Sequence, residues 1–299
     1  MKTITILSGK GGVGKSSIAA SLAVLLAEKE KIVAADCDVD APNLALCLGL
    51  KDKDFSLWEK LETSEKAELI ENKCTSCKKC LNVCNFNAIS WNKKNNKPLI
   101  DKFSCEGCGV CQLICPEKAI KLKKVKNGKI GTGKTDYGFK IITGQLEIGE
   151  SGSGKIVTAV KEKANKIAKK EKAGLILIDS AAGIGCPVIA SITGSDYVIA
   201  ITEPTPAALT DLKRALEVVS HFKIPYGIII NKFDLNKDFS EKIEEFAKKY
   251  KITVLGKIPY NKKFVEALVH LKPVVVWDKK FEDIFLGILK DINLQNIYI

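Results

Sequence analysis

Apolar positions along this chain fall into two patterns that alternate. Short apolar-rich runs, such as Thr3 to Leu7, give way to longer stretches with apolar residues at helical spacing, such as Lys15 to Glu28. Another run, Lys31 to Ala35, then ends in Asp36-Cys37-Asp38. Strand, glycine-rich loop, helix, strand is a βαβ-type opening and predicts a mostly parallel sheet. The rhythm resumes from about residue 126. Leu175 to Ile178 ends at Asp179, Tyr197 to Ile201 at Thr202-Glu203-Pro204, and Tyr226 to Ile230 at Asn231. Thr253 to Leu255 leads into Gly256-Lys257-Ile258-Pro259, and Ala207 to His221 and Ser240 to Lys249 read as helices between strands. The expected fold class is therefore α/β, and in such sheets the chemistry gathers beyond the carboxyl ends of the strands.

Residues 70–125 break this rhythm. They hold eight of the chain's 11 cysteines and repeat themselves at a 31-residue offset: Cys74, Cys77, Cys80, Cys84, Ala88 and Ile89 map onto Cys105, Cys108, Cys111, Cys115, Ala119 and Ile120. The spacings, C-x2-C-x2-C-x3-C twice with Pro116 after the second run, are those of bacterial two-cluster ferredoxins, in which the fourth cysteine of each run ligates the other cluster. One [4Fe–4S] cluster is thus expected on Cys74, Cys77, Cys80 and Cys115, and a second on Cys105, Cys108, Cys111 and Cys84. Zinc competes weakly, because zinc sites seldom show two four-cysteine runs of this form. Asn85 stands where the first run would have proline, which loosens a turn but removes no ligand. Lys78 and Lys79 lie inside the first run, and positive charge beside a cluster raises its potential. The expected organisation is an α/β domain of residues 1–69 and 126–299, interrupted by a ferredoxin-like α+β domain at 70–125.

Gly9-Lys10-Gly11-Gly12-Val13-Gly14-Lys15-Ser16, followed by Ser17, fits G-x-x-x-x-G-K-[ST] between a strand and a helix. Glycines let backbone N–H groups face phosphate oxygens, and the helix N-terminus adds partial positive charge. Lys15 is expected at the β and γ phosphates and Ser16 on Mg²⁺. A second, poorer match, Gly149 to Lys155, has Ile156 where the metal-binding hydroxyl belongs and reads as a loop before a helix.

With its extra lysine, Lys10, the motif resembles the deviant Walker A pattern of the superfamily that includes MinD, ParA, Mrp-type carriers and the nitrogenase iron protein. The resemblance covers residues 1 to about 60 and 135–299. It implies that Lys10 crosses a dimer interface to the partner's ATP, where a cation arriving only on dimerisation can stabilise charge on the transferring phosphoryl group. It also implies that Asp38 orients the attacking water, that Asp179 with Ser180-Ala181-Ala182-Gly183 serves as Walker B and switch II, and that Asn231, with Pro259 nearby, contacts the base. Asn231-Lys232-Phe233-Asp234 also fits the N-K-x-D pattern that reads guanine; the double-lysine loop favours ATP. In the iron protein a cysteine at the offset of Cys186 binds a shared cluster. Here a bridging cluster, a redox contact and a buried structural thiol all compete, with the buried thiol preferred. The carriers' C-terminal C-x-x-C pair is absent.

Lysine and arginine number 47 against 35 acidic residues, for a net charge of +12. The lysines are scattered, which argues against nucleic acid as the partner. No apolar run reaches the roughly 18 residues of a membrane span. The apolar stretch Phe281 to Lys290 carries Glu282 and Asp283, which disfavours an anionic membrane surface. A cytoplasmic location is expected, with cysteines used for metal. The leading functional expectation is an ATP- and Mg²⁺-dependent homodimer whose nucleotide state governs electron transfer to an unidentified redox partner. An iron–sulfur assembly or carrier ATPase serving an apo-protein comes second, and a positioning or scaffolding switch with redox-sensing clusters third.

Overall fold

The computed structural model describes residues 1–292. In chain order the elements begin with β1 (Lys2–Ser8), α1 (Lys15–Ala27), β2 (Ile32–Cys37), α2 (Leu44–Cys47), β3 (Phe55–Leu61) and β4 (Ser64–Leu69). Next come α3 (Lys79–Asn82), β5 (Ile89–Asn92), β6 (Lys97–Ile100), α4 (Val110–Ile114), β7 (Ile120–Val125), β8 (Gly128–Lys134) and β9 (Lys140–Leu146). After these stand α5 (Ser153–Glu171), β10 (Leu175–Ala182), α6 (Cys186–Ile192), β11 (Tyr197–Thr202), α7 (Pro206–His221) and β12 (Tyr226–Asn231). The described chain closes with α8 (Lys237–Lys249), β13 (Thr253–Ile258), α9 (Lys263–Val269), α10 (Val274–Trp277) and α11 (Glu282–Asp291). Contacts divide the chain into two compact units. The first comprises residues 1–59, 130–145 and 153 onward; the second comprises 60–129 and 146–152.

The first unit is built on a sheet of order β13-β12-β11-β1-β10-β2-β9-β8-β3. From β13 to β9 every neighbouring pair is parallel. Period-two alternation sends successive side chains to opposite faces. Ile4, Ile6, Ile199, Ile201 and Ile229 join one buried cluster with α1 and α11, while Leu7, Val198, Ala200, Ile228 and Ile230 join another with α6, α7 and α8. Both faces are thus covered, which is why these strands read as continuous apolar runs. The last helix, α11, buries Phe285, Ile288 and Leu289. Among the described residues no helix is long and apolar enough to cross a membrane.

The second unit repeats its architecture at the offset seen in the sequence. The strand pairs are antiparallel, β4 with β7 and β5 with β6. Its buried apolar centre is small: Ala67, Ile89 and Ile120 around Cys80 and Cys111. The backbone repeats as well. Gly107 and Gly109 of the second cysteine loop have φ of 65° and 80°, and their counterparts Ser76 and Lys78 have φ of 61° and 59°. The first loop therefore puts side chains where the left-handed region favours glycine, at a cost of roughly 1 kcal/mol each.

Candidate nucleotide site and cysteine cages

β1 delivers the glycine-rich loop, and Gly14 caps α1 with φ of 92°. A β-carbon at Gly14 would lie 2.5 Å from Asn231 Nδ2, so glycine is required both for the backbone angle and for the approach of β12. Lys15, 7% exposed, turns its Nζ to Asp179 Oδ1 at 2.6 Å, with Asp38 Oδ2 at 3.6 Å. Asp179 is fully buried on β10, in register with Asp36 on β2. Asp36 accepts hydrogen bonds from the amides of Leu44 (2.9 Å) and Asp38 (3.3 Å), which ties down the segment after β2.

Three carboxylates thus converge on one buried lysine. Burial, followed by the like charge of Asp179, pushes Asp36 well above the usual carboxylate range. Burial also raises Asp38, against the pull of Lys15. For Lys15, burial alone would lower the ammonium, but Asp179, with Asp38 and Asp36 behind it, more than compensates and holds it above the usual lysine value. Asp179 Oδ2, Ser8 Oγ, Ser180 Oγ and Thr202 Oγ1 are buried without a hydrogen-bond partner. All four sit at the carboxyl ends of β1, β10 and β11, and buried polar atoms left in this way are expensive unless something binds them. Oxygen donors beside a phosphate-binding loop suit a hydrated divalent cation, so the residues present fit a nucleotide with Mg²⁺. Ser16 and Ser17 are half-buried in the first turn of α1.

Lys10 is held within its own chain. Its Nζ lies 3.2 Å from Glu203 Oε1, and Lys232 Nζ takes Glu203 Oε2 at 2.9 Å while also donating to Gly12 O at 3.2 Å. Burial would raise Glu203, but the two lysines outweigh it and hold the carboxyl below its usual value. The Glu203 clamp was missed in the sequence; its signal was an acidic residue at the end of β11, the strand next to β1. Asn231 Nδ2 donates to Val13 O at 2.7 Å, and Asp234 Oδ1 accepts from the Tyr260 amide at 2.6 Å. The polar groups of the N-K-x-D run therefore brace the phosphate loop and the turn after Pro259, in addition to whatever they offer a base.

Cys186 is exposed at the start of α6, which corrects the expectation of a buried thiol: it follows exposed Gly185 in the loop after β10, and α6 turns Val188 and Ile192 to the core instead. Of the three cysteines outside the paired runs, Cys37 and Cys47 are the buried ones. Burial pushes the Cys47 thiol up to about 12 and Cys37 higher still, which leaves both unreactive.

In the second unit two cavities are lined by cysteines. Cys74, Cys77, Cys80 and Cys115 line one, and Cys84, Cys105, Cys108 and Cys111 line the other. Backbone amides point at sulfur: Ala88 N to Cys84 Sγ (3.3 Å), Ala119 N to Cys115 Sγ (3.2 Å) and Ala67 N to Cys105 Sγ (3.4 Å). Among the described residues no three or more His, Cys, Asp or Glu side chains converge as one metal ion would need.

The pattern of the CobQ/CobB/MinD/ParA nucleotide-binding domain matches residues 4–274. Two uncharacterized proteins of Methanocaldococcus jannaschii are similar to this chain. One is 45% identical over 78% of this chain and 79% of its own length, the other 33% identical over 89% and 88%. A shorter match, 48% identical over 22% of this chain and 27% of the relative, is to a cytosolic Fe–S cluster assembly factor Nubp2 homolog of Anopheles gambiae. Among solved structures, the septum site-determining protein MinD from Pyrococcus horikoshii, complexed with Mg-ADP, superposes with a TM-score of 0.58 at 19% identity, over 97% of this chain and 95% of that one. With a family match over most of the chain, a MinD-like parallel sheet and the lysine-carboxylate centre at its strand ends, the chain belongs to the CobQ/CobB/MinD/ParA family of P-loop ATPases.

Proposed function

We propose that this ATPase couples the nucleotide state of a homodimer to electron transfer through two [4Fe–4S] clusters held by its second unit. The observation that carries the reading is the sorting of the cysteines. Each cavity takes three from one run and the fourth from the other, the interleaving that two-cluster ferredoxins use. Four thiols with amide donors aimed at sulfur fit a thiolate-ligated cluster. Such clusters supply one-electron acceptance and release.

The remaining steps belong to the chain's own side chains. Lys15 would exchange Asp179 for phosphate oxygens, and Ser16 and the freed Asp179 carboxylate would hold a hydrated Mg²⁺, which would neutralise phosphate charge. Asp38, beside Lys15 and only partly buried, orients the attacking water. Lys10 leaves Glu203 for the partner protomer's phosphates, while Lys232 keeps Glu203 paired, so the exchange strands no buried charge. Binding ATP then favours the closed dimer by mass action.

The test uses chain purified without oxygen, its clusters reduced and mixed with a one-electron acceptor under ATP·Mg²⁺ or ADP·Mg²⁺. ATP should speed oxidation in the wild type and in Asp38→Ala but not in Lys10→Ala, and sedimentation should show a dimer under the same conditions. Equal rates with a monomer throughout would refute the coupling. The short match to an Fe–S assembly factor favours a second reading, delivery of clusters to an apo-protein; ATP-dependent loss of iron to an apo-ferredoxin would select it.

A further inference from the structure

The internal repeat provides its own control, because two copies of one loop differ in charge. The loop of the first cage reads Cys74-Thr75-Ser76-Cys77-Lys78-Lys79-Cys80, and that of the second Cys105-Glu106-Gly107-Cys108-Gly109-Val110-Cys111. Lys78 and Lys79 replace Gly109 and Val110, and both are exposed beside exposed Cys77. Lys78 occupies a left-handed position where its counterpart is glycine and lies over the Trp91 ring at 5.2 Å, and Trp91 itself lines the first cage. The turn between β5 and β6 adds exposed Lys93 and Lys94. Asn96 holds that turn against the cage loop by accepting from Ser76 Oγ at 2.5 Å and from Trp91 Nε1 at 3.1 Å.

The strand lysines also differ. Lys97 donates to the carbonyls of Glu71 (3.1 Å) and Cys74 (2.5 Å). Its repeat counterpart Lys66 donates to Lys102 O but is neutralised by Glu150 at 3.0 Å. Against the lysines the first cage sets Glu117 on its lining. The second cage is bordered instead by Phe86, Val110 and Glu106, with Phe86 46% and Val110 42% exposed. One cage opens beneath a lysine rim and the other beneath an apolar rim with one acid.

We infer that the lysine-rimmed face over Cys74, Cys77, Cys80 and Cys115 is the port on which an acidic electron-carrier protein docks. This rests on the two-cluster reading above. A positive rim steers an acidic partner and sets its register. The face places that partner against the exposed Cys77 edge of the cage. Lys78 keeps its charge at a position whose repeat counterpart, Gly109, takes the same left-handed backbone without a side chain. An acidic protein is preferred to nucleic acid because the lysines border a cysteine cage and the only aromatic ring described beside them, Trp91, is covered by Lys78 and offers no open stacking platform.

The probe is a small acidic plant-type ferredoxin, titrated against the anaerobically purified full chain at low and at physiological salt. The control is the double swap Lys78→Gly with Lys79→Val, which installs the second copy's own residues. Wild type should bind with an affinity that falls steeply with salt. The swap should weaken low-salt binding by at least about tenfold, with iron content unchanged and thermal stability equal or higher because a left-handed lysine becomes glycine. Glu106→Gln at the other cage should leave binding unchanged. Unchanged binding in the swap, with iron present, would overturn the port alone. Tighter, lysine-dependent capture of a single-stranded oligonucleotide that displaces the ferredoxin would overturn it in favour of nucleic acid. A wild type without iron would sink the cluster reading itself.

Discussion

The two units are held together in different ways. The parallel-sheet unit buries Phe285, Ile4, Ile6, Leu7, Ile18 and Leu22 almost completely, and its buried charges, Lys15, Asp36 and Asp179, gather at the strand ends. The cysteine unit, with fewer than about 80 residues, falls in the size range where an apolar core alone is seldom sufficient. At its centre are two isoleucines, an alanine and two thiols, and its first cage loop carries side chains in the left-handed region. The first unit carries a large apolar core of its own; on the proposed reading, the second would lean on what its cysteines bind.

The largest test of that contrast is removal of iron. Chelation under reducing conditions should expose residues 60–129 to limited proteolysis while the sheet unit keeps its thermal transition and its nucleotide binding. Equal loss in both units would erase the distinction. Phe285→Ala probes the other side: it should cost about 3–5 kcal/mol, lowering the midpoint of the sheet unit's transition and leaving cluster absorbance untouched.

At the nucleotide site the effects are chemical. Lys15→Ala should cut turnover by about 100-fold or more, measured as phosphate release, and should lower the melting midpoint of the sheet unit, because buried Asp179 loses its cation. A smaller effect is expected at Asp36. Its carboxyl is raised in the folded chain, so its contribution to stability is present in full below the ordinary carboxylate range and is lost as pH rises through the raised value. Asp36→Asn should therefore raise the melting midpoint of the nucleotide-free chain near neutral pH, and the gain should vanish below about pH 4. A gain that persists in acid would contradict the burial account.

The most legible parts of the sequence were those where spacing encodes chemistry. The phosphate loop, Asp38 and Asp179 are brought together around Lys15, and the cysteine runs fold into two cages. What escaped depended on packing between distant segments. β8, with three glycines and two lysines in seven residues, received no element of its own from the sequence, yet it joins the sheet, where Gly131 and Gly133 let Phe55, Trp58 and Leu50 lie against it. Glu203 belongs to no motif, and its role as a clamp on Lys10 emerges only when β11 lies beside β1. Cys186 departs from a general tendency: free cysteines are mostly buried, but this one is exposed at the start of α6.

The central claim is the interleaving of two clusters, and it is tested most directly by iron and sulfide content with electron paramagnetic resonance on the anaerobically purified chain and its Cys84→Ala variant. The wild type should carry about eight iron and eight sulfide. Cys84→Ala should perturb the signal of the cluster assigned to Cys105, Cys108 and Cys111 and spare that of Cys74, Cys77 and Cys80, which Cys77→Ser should perturb in turn. About four iron in the wild type, zinc in its place, or a Cys84→Ala lesion confined to the cluster of its own run would contradict the account.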